Sequence, residues 1–503
     1  THITNGAITY NNVLGDGFKS TSPSSVVNLH IGSTLHIATT CTFPQNTLQL
    51  EYDGISLPTI SVEPGKTIFS DNTRVLVTGI TDATYLAQTN DGFNFILKNG
   101  NSIYISSGLI ESELNIQGSN VAITGNGIID NTITFSHSSA SMILTLQGAV
   151  NYPIDLNGAT LILNNNVSLN SSPIFSSDGT INLQSHIMTL NPATPLEIST
   201  ALTWSGNNGM ISFNQDLTLS NTQTVVGNVV WEGNGNTLHF YPSGSIVVSP
   251  NTQLTLKNMN ITNIGSASIY CIDDTGSIVL DNVRWVQSDD YEFTQGALVF
   301  SDAVLMSGQN KVFTYSSTQT STILANSTVT LDNLFTFSYA PSNNSTTLLE
   351  FTDFTSVLAL RHIQFYAIPG LELTKGQLAF SQAPTLYALG NGITLGDDVT
   401  TTSDMHMVFL DNSTLTLAQG QLIYKNLDSN AIQLWNANLI SFAPTTTLTL
   451  YENMYIQSGE IKFGSNDTPA TYEHMYADCC TTKTTEIIPD HWEGNYIEEC
   501  FCA

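Results

Sequence analysis

Leu254-Thr-Leu-Lys-Asn-Met-Asn-Ile261 and Ile278-Val-Leu-Asp-Asn-Val-Arg-Trp285 begin 24 residues apart and share one form. Two alternating apolar positions come first, then a polar corner with an asparagine, then two more alternating apolar positions. Period-two alternation describes a strand with one face buried, and the corner breaks it into two short strands. A pattern that recurs at coil-length spacing predicts a stack, because one coil cannot bury its own apolar face and must close it against the next.

The same form extends outward in both directions. Val329-Thr-Leu-Asp-Asn-Leu-Phe-Thr336 and Val357-Leu-Ala-Leu-Arg-His-Ile-Gln364 resemble it, with starts 28 residues apart, and so does Leu448-Thr-Leu-Tyr-Glu-Asn-Met-Tyr455. Leu371-Glu-Leu-Thr-Lys-Gly-Gln-Leu-Ala-Phe380 matches Leu415-Thr-Leu-Ala-Gln-Gly-Gln-Leu-Ile-Tyr424 at an offset of 44, twice 22. Shorter phrases of small polar residues followed by alternation appear earlier, as in Gly32-Ser-Thr-Leu-His-Ile37, Gly118-Ser-Asn-Val-Ala-Ile-Thr-Gly125 and Gly158-Ala-Thr-Leu-Ile-Leu163.

These spacings predict an all-β parallel β-helix, a β-solenoid with coils of 22 to 28 residues and length differences absorbed in loops. Asn-rich corners such as Asn164-Asn-Asn-Val167 suit turn geometry and amide ladders. The competing arrangement is a set of antiparallel sandwiches whose hairpin turns carry the asparagines. Three segments follow from the pattern: an N-terminal strand or cap over 1–20, a helix body over 21–465, and a Cys-rich cap or coupling segment over 466–503.

Composition bounds what the surface can do. The 503 residues are 41% hydrophobic but only 11% charged, with 12 Lys plus Arg against 41 Asp plus Glu and a formal charge of -29. Ser, Thr, Asn, Gln and Gly must therefore supply most of the polar surface. Such a charge repels phosphate backbones, and no basic cluster offsets it, so the expectation is no nucleic acid partner. No apolar run reaches the roughly 18 residues of a membrane-spanning helix, so no membrane-spanning segment is expected. The first residue is Thr1. An exported chain whose signal peptide has been removed would begin this way, and the expected location is extracellular or at the cell surface.

Four of the six cysteines, Cys479, Cys480, Cys500 and Cys502, crowd into the tail, while Cys41 and Cys271 stand apart. In an oxidising compartment the tail cysteines are disulfide candidates stapling a small C-terminal cap, with intermolecular bonds as the alternative. The tail histidines His474 and His491 do not complete a recognised zinc spacing with them.

Candidate chemistry is sparse. Asp289, Asp290 and Glu292 flank Tyr291, and Asp397 and Asp398 form a second acidic pair. Paired carboxylates suit general acid/base work on a glycan or contact with a divalent cation such as calcium, and solvated turns hold them just as readily. Trp285 and Tyr291 beside the first cluster make it the place to look for a glycan platform, with Trp204, Trp231 and Trp435 as further large surfaces. Tryptophan is also the ordinary filler of a packed core. No phosphate loop, nucleophile elbow or zinc-binding helix occurs in the sequence.

The repeat phrases resemble those of bacterial surface-associated parallel β-helix proteins, with the pectin-lyase-like fold and autotransporter passenger regions among them. The resemblance covers most of residues 20 to 465 and lies in the pattern. It implies a three-faced right-handed coil and a role in adhesion, surface coating or carbohydrate processing. No catalytic signature of that group maps onto residues of this chain. The expectation is an extracellular structural protein, probing no cofactor, that self-assembles into a fibre, sheath or surface array. The alternative is a carbohydrate-binding adhesin or a glycan-active β-helix enzyme.

Overall fold

The computed structural model describes residues 113–396 continuously, together with isolated strands on either side such as Thr34–Ile37 and Met405–Phe409. Among the described residues there is no helix, and parallel strands stack into a β-solenoid of about 13 turns. The chain divides into two compact units, one of residues 1–236 and 241–245 and the other of 237–240 and 246–503. The boundaries expected at 20 and 465, and the tail cysteines Cys479, Cys480, Cys500 and Cys502, lie outside the described residues.

In the first unit each coil carries three short strands. Glu113–Ile116, Val121–Gly125 and Ile128–Ile129 make one coil, and Ile133–Phe135, Ser141–Leu146 and Ala149–Val150 make the next. Each strand pairs in parallel with its counterpart one coil on. Strict alternation sends every second side chain inward, and in-register pairing then stacks like on like. Val121, Met142, Leu161, Ile181 and Trp204 form one such inward column, and each is completely buried. Trp204 meets Trp231 edge-on with ring centroids 5.9 Å apart. The buried Gln223 amide accepts the Trp204 Nε1 proton at 2.9 Å and donates to the Thr200 carbonyl at 2.8 Å. The polar atoms of that inward amide are thus satisfied inside the coil, as burial requires.

The second unit contains the stretch quoted first. Gln253–Ile264 pairs with Ser277–Gln287 so that Leu254 faces Ile278, Leu256 faces Leu280, Met259 faces Val283 and Ile261 faces Trp285. The 24-residue repeat is therefore one coil. One turn later the long strand separates into Ala297–Ser301 and Ala303–Ser307, which pair with the two halves of Ser277–Gln287. The corner between those halves holds Asn258, Asn282 and Asp302 at φ of 50°, 54° and 57°. Asparagine and aspartate tolerate this left-handed region far better than branched residues, which is why the corner selects them. A third strand closes each coil, as Tyr291–Phe293, Val312–Tyr315, Phe335–Tyr339 and Ile363–Ala367.

Corners are tied from coil to coil. Asn282 Nδ2 donates to Asn258 Oδ1 at 2.8 Å, and a longer amide ladder joins Asn191, Asn214 and Asn234. A second device recurs in both units. The backbone N–H of a left-handed Asn or Asp donates to a Ser or Thr hydroxyl one coil on: Asn120 to Ser141, Asn157 to Ser177, Asn251 to Thr275, Asp302 to Ser327 and Asn326 to Thr355. Each bond adds about 1 kcal/mol net and, more usefully, satisfies a donor the ladder leaves over. The Asn164-Asn-Asn stretch also sits between strands, but none of its residues takes positive φ.

Two expected alignments are corrected. Val329 pairs with Leu358, not with Val357, so the coil spans 29 residues on that strand, whereas Phe335 pairs with Ile363 at 28. The corner after Leu360 is one residue shorter, and matching Val329 to Val357 would have put a half-exposed side chain in the core column. The 44-residue match between 371–380 and 415–424 is not a coil relation either. Leu371 stacks on Ile393, which stacks on Leu422. Observed coils are also more variable than 22 to 28, running from 19 residues at Met142–Leu161 to 29 at Leu331–Leu360.

Candidate functional site

The third face of the second unit carries two kinds of ladder, one on each side of the sheet. Inward, Tyr291, Phe313, Phe337 and Phe365 occupy successive register positions. Their rings stack with centroid separations of 5.2, 5.4 and 5.4 Å. A strand spacing of about 4.8 Å leaves room for aromatic rings to stack once they tilt slightly. Beside them Phe293, Tyr315 and Tyr339 form a second column, with the two tyrosines 5.7 Å apart and nearly parallel.

Outward, the same strands present Thr314, Ser338, Tyr366 and Tyr387 in one column and Thr336, Gln364 and Thr385 in the other. All are uncharged. Tyr366 and Tyr387 are half-buried, and their rings stack at 4.1 Å with an interplanar angle of 2°. The Tyr366 hydroxyl donates to Gln364 Oε1 at 3.3 Å. Partial burial first, and the neighbouring Tyr387 phenol second, raise the Tyr366 pKa above its ordinary 10. The face offers hydroxyls, an amide and two phenols at coil spacing, a surface suited to hydrogen bonding and radical chemistry of phenols rather than to paired-carboxylate catalysis.

The residues expected to contact a glycan are distributed differently. Trp285 and Tyr291 are each only 2% exposed, and Trp204 and Trp231 are wholly buried. None of the four can lie under a sugar ring, because their parity sends them to the core side of the strand. Trp285 packs edge-on against Tyr291 at 5.2 Å, and the Tyr291 hydroxyl donates to the Ile269 carbonyl. Trp435 lies outside the described residues.

The acidic cluster remains on the surface, where it braces turns. Asp289 meets Lys311 at 3.6 Å and accepts the Asp290 N–H at 2.9 Å. Asp290 Oδ1 accepts the Val312 N–H at 3.0 Å, and Glu292 Oε1 accepts the Ser316 hydroxyl at 2.8 Å. Among the described residues no group of three or more His, Cys, Asp or Glu is placed to hold a metal ion. Asp397 and Asp398, the other candidate glycan or cation contacts, lie outside the described residues. No helix among the described residues is long and apolar enough to cross a membrane.

Cys271 is a free thiol, 3% exposed. Burial, reinforced by Asp273 and then Asp274, pushes its pKa up to about 12. Burial likewise raises Tyr291, Tyr315 and Tyr339 above 10. In each case the fold holds the neutral form. Their contribution to stability is complete below the unfolded values of 9.0 and 10.0 and is lost as pH rises beyond them. The second unit is therefore expected to unfold in base, with phenolate absorbance and loss of far-ultraviolet dichroism rising together. Ionisation of all its tyrosines near pH 10 with the fold intact would overturn this.

Comparisons with protein-family models and with curated proteins found no match to this chain. Tyr366 and Tyr387 escaped the sequence reading, although Phe365-Tyr366-Ala367 and Leu386-Tyr387-Ala388, 21 residues apart, carried the signal.

Proposed function

We propose that this chain is an extracellular structural protein that self-associates into a fibre, sheath or surface array. The observation that supports the reading most is the parallel, in-register pairing of successive coils within each unit. A parallel coil takes hydrogen bonds along one edge and offers the complementary edge to the next. The end of such a stack is therefore a template for another copy unless something covers it. Contacts of that kind are heterologous and extend without closing.

The inward columns also favour a scaffold. They are filled with stacked aliphatic and aromatic side chains, and the corners are tied by repeated amide and hydroxyl bonds. The outward positions of the third face are Thr, Ser, Gln and Tyr, which hydrate without charge. The net charge of -29 opposes association through repulsion that salt screens over about 10 Å at 0.1 M. Assembly is expected to strengthen with protein concentration and with ionic strength. Light-scattering mass across a concentration series, with electron microscopy of the same samples, checks this. A monomer at every concentration and salt level would reject self-association.

A further inference from the structure

The outward tyrosine pair carries an inference that goes beyond assembly and stands without it. Tyr366 and Tyr387 face each other across adjacent coils in parallel register, their rings 4.1 Å apart and 2° from parallel. Both are reachable from solvent, and both phenols leave the sheet on the same side. The buried tyrosines of the same face differ in this respect. Tyr315 and Tyr339 stack almost as well, at 5.7 Å and 6°, but they point inward, are 3% and 0% exposed, and spend their hydroxyls on backbone carbonyls.

We infer that Tyr366 and Tyr387 form an oxidative cross-linking site, at which a one-electron oxidant joins neighbouring coils through a dityrosine bond. Each phenol loses one electron to the oxidant and its proton to water, leaving two phenoxyl radicals. Spin density at the ring carbon ortho to oxygen lets one Cε of each ring combine, forming a single C–C bond. The hydrogen on each coupled carbon then returns to its oxygen, restoring two phenols. The pair loses two hydrogen atoms in all, and one hydrogen peroxide, working through a haem peroxidase, takes them up to give two waters.

Coupling between radicals competes with their diffusion to other partners, so a pair held together gains the advantage of proximity. The coils already hold these two rings in van der Waals contact, and the bond requires the ring edges to swing together at side chains that are not locked in the core. The product would be a covalent staple between coils in a part of the chain where Cys271 is the one described cysteine, buried and unpaired.

The purified full chain, treated with a haem peroxidase and hydrogen peroxide at low protein concentration, provides the test. Cleavage after Arg361, Lys375 and Lys425 places Tyr366 and Tyr387 in separate peptides, 362–375 and 376–425. Those peptides are expected to be joined, two hydrogen atoms lighter than their sum, as the dominant link within the monomer. Fragment ions must assign the bond to Tyr387 rather than Tyr424 of the second peptide. Tyr366→Phe and Tyr387→Phe should each abolish that link while leaving the melting curve close to the parent's. Urea-unfolded chain should lose the preference for this pair. Links spread over other tyrosines in the folded chain, or the same preference after unfolding, would overturn the inference.

Discussion

Replacing Phe313 by alanine is expected to destabilise the second unit by about 3–5 kcal/mol. Phe313 is 1% exposed and sits within the third-face stack, between Tyr291 at 5.2 Å and Phe337 at 5.4 Å. It also contacts Trp285 at 6.3 Å and Phe335 at 6.5 Å. Truncation removes a ring from the middle of a column, and the flanking coils cannot collapse onto the gap because their backbone ladders fix the spacing. The cost combines lost transfer energy, a cavity, and the ring-ring terms of about 0.5–1.5 kcal/mol each.

In a repeat architecture the damage is local before it is global, since each coil depends on its nearest neighbours. Hydrogen exchange should therefore accelerate most in the strands Tyr291–Phe293, Val312–Tyr315 and Phe335–Tyr339. Alkylation of Cys271, resolved by peptide, supplies a second local readout. The neighbouring outward substitution Thr314→Ala should stay within about 0.5 kcal/mol of the parent. A Phe313→Ala chain that melts like the Thr314→Ala chain would show that the stack contributes little.

Substituting Gly227 by valine is the second large effect, and its origin is backbone rather than side-chain packing. Gly227 has φ of +78° and lies in register with Gly206 in the adjacent coil. A Cβ placed on it would sit 2.3 Å from the Gly206 carbonyl oxygen, closer than any real contact. The left-handed conformation alone costs a non-glycine residue about 1–2 kcal/mol, more with a branched side chain, and relieving the clash must also displace a ladder strand. The expected loss is about 3 kcal/mol or more for the first unit, with lower yield of folded chain. Gly227→Asn separates the two causes, because asparagine tolerates positive φ yet still carries the Cβ. If the asparagine variant folds as well as the parent, the close approach is not limiting. Gly206→Ala should be milder, since its Cβ would meet the Gln184 carbonyl oxygen at 3.1 Å.

The coil was legible wherever alternation and a corner asparagine coincided. Leu254, Leu256, Met259 and Ile261 match Ile278, Leu280, Val283 and Trp285 in sequence and face them in space. The same parity already placed Trp285 inside, and weighing it as a sugar platform set the chemistry of tryptophan above its position in the strand. Where a corner changes length the alignment slipped, as at Val329 and Leu358. A shift of one residue exchanges the faces of a strand, yet it alters the sequence match very little when both candidates are apolar. The similarity of 371–380 to 415–424 misled for the opposite reason, since many coils use the same few residue types and matches arise between strands that never stack.

The sequence by itself determined that this chain is built of β coils with apolar interiors, polar corners and a lightly charged, acidic surface. Those properties follow from residue type and period, which are local. Only the tertiary structure decided which residues meet: the Tyr291–Phe313–Phe337–Phe365 column inside, and the Tyr366–Tyr387 pair outside. Coils of 19 to 29 residues bring such side chains together, and the lengths are set by turns whose closure depends on the neighbouring coil. Contact between residues some 20 positions apart is a property of the stack, and a single coil read alone does not contain it.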